Sequence, residues 1–194
     1  MKPFKILSTI IFAVCFCHLS AQKVNDEDVL NGAKTEYFPN GKVAKQYMMV
    51  NGVLNGYYRT YSEKGFLQAE QTMVNGVIQG MVKAFDEEGR LESETNMVDG
   101  VPQGNKREFY KDGALKLESF MTGQPWEYSG HSTSYFEDGQ VKSESKFSMG
   151  KLTEAKTFDK KGRLTSIQSE GNVISYWYEN NGKKHTVVNG VEEK

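Results

Sequence analysis

The 194-residue sequence predicts an all-β protein, built from tandem β-hairpin repeats that form one elongated, twisted antiparallel sheet. Three observations lead there. Gly41, Gly65, Gly89, Gly113, Gly139, Gly162 and Gly182 recur at spacings of 24, 24, 24, 26, 23 and 20. Four residues before each stands an aromatic: Tyr37, Tyr61, Phe85, Phe109, Tyr135, Phe158 and Tyr178. Two residues after comes an aliphatic in six units (Val43, Leu67, Leu91, Leu115, Val141 and Leu164), with Lys184 in the seventh. A period of this length marks a supersecondary unit that buries its apolar surface only against its neighbours.

The first residues are unlike the rest. Lys2 and Lys5 precede the apolar run 6–19, and Ser20, Ala21 and Gln22 follow. A positive start, an apolar run too short to span a bilayer and a small residue at Ala21 predict a signal peptide over residues 1–21, cleaved near Ala21-Gln22. The processed chain is then expected in the periplasm, at the cell envelope or outside the cell. Residues 22–30 read as a short polar N-terminal segment whose acidic stretch, residues 25–28, blunts the edge of the first strand or stays disordered. Residues 31–194 read as a single repeat domain of about seven hairpins, the last two degenerate.

Within a repeat, residues 56–61 and 66–73 are too short for helices, are rich in aromatic and β-branched residues, and end at turn sequences. Ser62-Glu63-Lys64-Gly65 and Asn75-Gly76 punctuate them as hairpin turns. Glycine is expected wherever the turn demands positive φ, which costs a residue with a β-carbon about 1 kcal/mol or more. A second large apolar residue stands three before each closing glycine: Met49, Met73, Met97, Phe120 and Phe147. With period-2 alternation, the aliphatic and this residue are expected on one face beside the aromatic, as a one-sided apolar stripe. A buried side chain of this size is worth roughly 1.5–3 kcal/mol, too little for one repeat to offset the ordering of its chain, so only the stack is stable. Fourteen strands at about 4.8 Å would extend roughly 65 Å. The connection from Gly123 to Gly130, carrying Trp126 and Tyr128, is longer than its counterparts. A bend or bulge is expected there, with the two aromatics either covering a gap in the stripe, the preferred reading, or anchoring a partner. The last unit is expected to act as a polar end cap.

Composition narrows the function. Cys15 and Cys17 are the only cysteines, and both lie in the leader, so disulfides and thiolate zinc sites are excluded from the processed chain. His131 and His185 fall in separate repeats, giving no two-histidine metal site. Removing Lys2 and Lys5 from 24 basic residues leaves 22 against 25 acidic ones, a net charge of −3. Without a basic excess, no nucleic-acid binding is expected, and a polybasic attraction to anionic lipid is disfavoured.

The row Glu70, Glu94, Glu118, Glu144 is the one arrangement that resembles chemistry. Recurring once per hairpin, these carboxylates should stand about 10 Å apart, beyond the separations of glycosidase acid pairs and too far to share a calcium ion. They are expected to form a solvated row facing cross-strand Lys or Arg. No nucleophile elbow and no phosphate loop is present. The expectation is no enzymatic activity, with no catalytic, cofactor-binding or metal residues and no cofactor.

A unit of the form Gly-x-x-x-x-Tyr/Phe-x-x-x-Gly-x-Leu-x-x-Glu, then an apolar residue and a closing Asn-Gly, resembles the MORN-variant repeat family. The match runs well over residues 31–150 and loosely over 151–190, with Glu70, Glu94, Glu118 and Glu144 at the acidic position and Gln46 in the first unit. Similar bacterial chains are labelled YwqK-type antitoxin repeat proteins. The resemblance implies a β-hairpin scaffold for protein or membrane association, without chemistry of its own.

The function expected is therefore a non-catalytic exported repeat scaffold that mediates protein–protein interaction in the cell envelope. Its unknown protein partner is expected to meet exposed aromatics, with Tyr57, Tyr58, Trp126, Tyr128 and Trp177 the candidates. An antitoxin or immunity-type protein that neutralises a partner toxin is the alternative. A glycan- or membrane-associated binding module is the third reading, and no residue pattern supports such contact.

Overall fold

The computed structural model describes residues 30–123, 127–169, 171–189 and 191–192. The leader over residues 1–21, the segment 22–29 and Trp126 lie outside them. Among the described residues, fifteen strands follow one another in a single open sheet whose spatial order is the chain order. They are β1 Gly32–Tyr37, β2 Val43–Val50, β3 Val53–Tyr61, β4 Leu67–Val74, β5 Val77–Phe85, β6 Leu91–Val98, β7 Val101–Phe109 and β8 Leu115–Thr122. The remainder are β9 Ser129–Tyr135, β10 Val141–Ser148, β11 Lys151–Phe158, β12 Leu164–Ser169, β13 Asn172–Tyr178, β14 Lys184–Val188 and β15 Val191–Glu192. The first fourteen are the seven expected hairpins. The fifteenth, two residues long, continues the sheet past the expected end.

Two kinds of turn alternate along the sheet. At the period-setting glycines, φ lies between 72° and 94°. There the residue three before glycine accepts the glycine N–H and donates its own N–H to the carbonyl just after, as in Gly65 N–H to Ser62 and Ser62 N–H to Phe66, both 2.8 Å. The opposite margin is closed by two-residue turns with positive φ at both positions: Asn51-Gly52, Asn75-Gly76, Asp99-Gly100 and Met149-Gly150. These turns twist with the strands, which is why Asn-Gly is favoured there. Each also reaches back one repeat: Gly76 N–H donates to Leu54 O at 2.8 Å and Gly100 N–H to Ile78 O at 3.0 Å.

The seven hairpins share one defining pairing. Tyr37 lies opposite Val43, Tyr61 opposite Leu67, Phe85 opposite Leu91, Phe109 opposite Leu115, Tyr135 opposite Val141 and Phe158 opposite Leu164. In each of these six pairs the register shifts by one residue next to the aromatic. Tyr178 faces Lys184 without a shift, so the one unit lacking the aliphatic also lacks the bulge.

The expected one-sided stripe is not what forms. Glu70 and Met73 are three residues apart on continuous β4, hence on opposite faces. Tyr61 donates its phenol to Gln46 Oε1 at 2.7 Å, and Gln46 pairs through Arg59 with Glu70, which places the aromatics on the carboxylate face. The methionines occupy the other face, each opposite a glycine: Gly32–Met49, Gly56–Met73, Gly80–Met97 and Gly104–Met121. Both faces therefore carry part of the apolar surface. Met73, at 6% exposure, is the one buried hydrophobic side chain among the described residues.

The fourth hairpin brings a second correction. Met121, not Phe120, occupies the methionine position, while Phe120 lies on the carboxylate face and stacks on His131 with centroids 6.1 Å apart. Counting back from Gly123 fails because the connection there is longer. The bend or bulge expected at this connection is also absent from the ladder. Between β4 and β5 the register shifts, so that β5 advances six residues while β4 advances four. Between β8 and β9 both advance four, in unbroken register from Glu118–Thr133 to Thr122–Ser129. The two residues saved from the bulge, and two more, go into the turn.

Candidate functional site: a charged row along the sheet

Directly paired residues share a face, so the ladder registers define continuous rows across the sheet. One row reads Thr35, Gln46, Arg59, Glu70, Lys83, Glu94, Arg107, Glu118, Thr133, Glu144, Lys156. From Arg59 to Glu118 the sign alternates at every strand. The carboxylate row expected from sequence thus does face cross-strand Lys and Arg. Arg59 meets Glu70 at 2.7 Å and Lys83 meets Glu94 at 3.7 Å. Arg107 stands between Glu94 and Glu118 in register, exposed and without an ion pair among the described residues. The insertion before β9 leaves this row intact because it trades a bulge for a longer turn.

The aromatics flank the row. Tyr135 donates its phenol to Glu118 Oε1 at 2.5 Å, the counterpart of Tyr61 to Gln46. The carboxylate accepts a hydrogen bond only from the neutral phenol, so Glu118 pushes the Tyr135 pKa up to about 12, with burial a further cause. On the opposite face at the near end of the sheet, the Tyr47 phenol and then Lys45 hold the Glu36 carboxyl below its ordinary range. At the far end, Lys156 and then Lys146 do the same for Glu154. An open groove of about 260 Å³ lies there among Thr133, Glu144, Lys146, Glu154 and Lys156.

The five aromatics singled out from sequence do not form one patch. Tyr57 and Tyr58 are neighbours in β3 and point to opposite faces. Tyr57 lies on the charged face beneath the Arg59 guanidinium, 5.2 Å from its centroid. Tyr58 stacks on Tyr47 at 5.9 Å on the methionine face. Tyr128 donates to Pro102 O at 3.1 Å, and its own carbonyl accepts the Gly150 N–H as Leu54 O accepts that of Gly76. Its backbone therefore takes the turn-closing position that Leu54 and Ile78 hold in earlier repeats, while Gly130 stands opposite Met121. Trp177 lies in β13 with its backbone opposite His185. Trp126 lies outside the described residues.

The methionine face changes character along its length. Beyond β8 it carries small hydroxyls in cross-strand pairs, Ser134 with Ser143 at 2.6 Å and Thr157 with Ser166 at 2.7 Å. On the charged face, near the two-residue turns, Val50, Val53, Val74, Val77 and Val98 are each 40–43% exposed, an apolar margin that ends where the long connection begins. Sequence reading passed over Arg107 and these valines. Their signal was present as the repeated Val-Asn/Asp-Gly-Val and as the alternation of sign at period-matched positions.

Among the described residues no group of three or more His, Cys, Asp or Glu is placed to hold a metal ion. No helix there is long and apolar enough to cross a membrane.

Consecutive hairpins in one open sheet, with both faces largely uncovered among the described residues, define the class as a β-hairpin repeat scaffold. The MORN repeat variant model matches two stretches of it: residues 30–51, which are β1, β2 and the start of their closing turn, and residues 128–148, which hold β9 and β10. The hairpins between these segments repeat the same turn bonds and aromatic–aliphatic pairing. Comparison with curated proteins finds no match.

Proposed function

We propose that this protein is a non-catalytic, exported repeat scaffold that presents the charged face of its sheet to a protein partner in the cell envelope. The observation that carries this reading is the regular row from Arg59 to Glu118 on a face that, among the described residues, no second layer covers. A single-layer sheet of this length spends its sequence on surface, and its charges recur at fixed strand intervals, about 4.8 Å apart. Such a row suits a partner with matching charge periodicity, because complementary potentials fix register and suppress wrong partners. Tyr57 and Arg107 supply an aromatic and an exposed cation on that face.

The experiment uses the full coding sequence expressed in a host that exports it. Envelope fractionation with N-terminal sequencing should find a product beginning at Gln22. Capture from envelope extract should then retain several assembly components. The variant Tyr57→Ala/Arg107→Glu should lose them while keeping its far-UV circular dichroism, and Ser145→Lys on the opposite face should not. A single stoichiometric toxin polypeptide would replace the scaffold reading with the immunity one. Capture of glycan alone, or capture indifferent to the charged face, would overturn both.

A further inference from the structure

Strand β1 ends the sheet: it pairs with β2 on one side and, among the described residues, with no strand on the other. An open strand edge exposes backbone donors and acceptors that template pairing with another chain. Its side chains select which chain. Lys34 and Glu36 share one face and flank Thr35, with Ala33 and Tyr37 one step further out. Tyr37 is 64% exposed, the largest value for any large hydrophobic residue described.

We propose that β1 pairs with β1 of a second copy, antiparallel about a two-fold axis at Thr35, to give a symmetric dimer with one continuous sheet. In that register Lys34 lies opposite Glu36 of the second copy, and Glu36 opposite its Lys34. Thr35 meets Thr35, and Tyr37 covers Ala33. Opposite charges, Thr–Thr pairs and an aromatic over a small residue are the cross-strand combinations that stabilise antiparallel pairs. Moving the axis by one residue either way sets Lys34 against Lys34 or Glu36 against Glu36, so charge selects a single register. Glu36 is held ready on its face: it accepts the Tyr47 phenol at 2.9 Å through one oxygen and pairs with Lys45 at 3.3 Å through the other. A lone edge lysine would repel a copy of itself, whereas Lys and Glu placed symmetrically about Thr35 attract one. The interface is isologous and closes at two copies.

The test is analytical ultracentrifugation of the protein expressed from its full coding sequence, purified as the cell leaves it, over a roughly hundredfold concentration range. A monomer–dimer equilibrium that weakens with salt is expected. Lys34→Glu and Glu36→Lys should each weaken the dimer at least about tenfold. Lys34→Gln, which removes the charge without reversing it, should weaken it less. Mixing the Lys34→Glu and Glu36→Lys chains in equal amounts sets two carboxylates of one chain against two ammonium groups of the other, and should restore dimer to at least the wild-type level. Far-UV circular dichroism confirms that each variant keeps its sheet. A wild-type chain that stays monomeric throughout, a dimer indifferent to Lys34→Glu, or open-ended growth beyond two copies would each overturn the proposal.

Discussion

Tyr135 and Glu118 join the two recurring features of this sheet, because the phenol of the aromatic position donates across 2.5 Å to the carboxylate of the charged row one hairpin earlier. Its pKa of about 12 against an ordinary 10 carries a definite sign. The folded state keeps the proton longer than the unfolded one, so the contribution is complete below pH 10 and is lost as pH rises from 10 through 12. Tyr135→Phe should lower stability by about 1 kcal/mol at neutral pH. It should also flatten the alkaline fall of stability, measured by urea unfolding below and above pH 10. An unchanged alkaline slope in the variant would show that the bond does not hold the proton.

The same relationship predicts where a hydroxyl is missing. Tyr61 reaches Gln46 fifteen positions back, and Phe109 stands fifteen positions after Glu94 in an equivalent pair of strands. Phe109→Tyr should therefore place a phenol on Glu94 and raise stability by about 0.5–1.5 kcal/mol. An alkaline spectrophotometric titration should reveal one additional tyrosine ionising late, as Tyr135 does. A new tyrosine with ordinary titration and no rise in unfolding midpoint would mean that the two positions are not equivalent.

These pairings also show what could be read before the structure. The turns and the period were legible because both are local: Asp112-Gly113 or Asn75-Gly76 dictates its own backbone whatever packs on it. The glutamates Glu70 and Glu94 were legible as a solvated row because they recur once per period, whereas their alternation with Lys83 and Arg107 rests on cross-strand register. The faces were not. One extra residue at each bulge, Gln68 or Lys116 for example, breaks simple alternation between the aromatic–aliphatic pair and the rest of the strand. Counting from the closing glycine chose Phe120, while counting three forward from the acidic position finds Met49, Met73, Met97, Met121 and Phe147 alike. The ladder keeps register from the row, not from the turn. Of the five aromatics chosen from sequence, Tyr57 and Tyr58 are separated by the pleat itself.

Met149 shows a repeat out of step with its own turn. Its φ of 52° matches the 51°, 50° and 51° of Asn51, Asn75 and Asp99, yet a methionine has no short polar side chain to favour that conformation, and it is 62% exposed. Met149→Asn should relieve about 0.5–1 kcal/mol of backbone strain. The Met149 N–H donates to Ser129 Oγ at 3.1 Å, and this bond remains available to Asn. The check is the midpoint of thermal unfolding, which should rise. A lowered midpoint would mean that the exposed methionine makes a contact worth more than the strain.

Gly130 is where the array is most easily cut. A β-carbon there would run into the Phe120 carbonyl oxygen across the β8–β9 ladder, and backbone rather than a flexible side chain is what it meets. At Gly139, whose φ is 81°, a β-carbon meets nothing within 4 Å. Gly139→Ala should therefore cost about 1 kcal/mol from the backbone alone. Gly130→Ala should cost about 3 kcal/mol or more, because the ladder must open to admit it. Each repeat contacts only its neighbours, so this loss should fall on one interface instead of spreading through the molecule. Hydrogen exchange in Gly130→Ala should accelerate in β8 and β9 first, while β3 to β6 keep their protection and unfold in a separate transition. Uniform acceleration across all strands would show that the sheet unfolds as one cooperative unit and that nearest-neighbour coupling does not describe it.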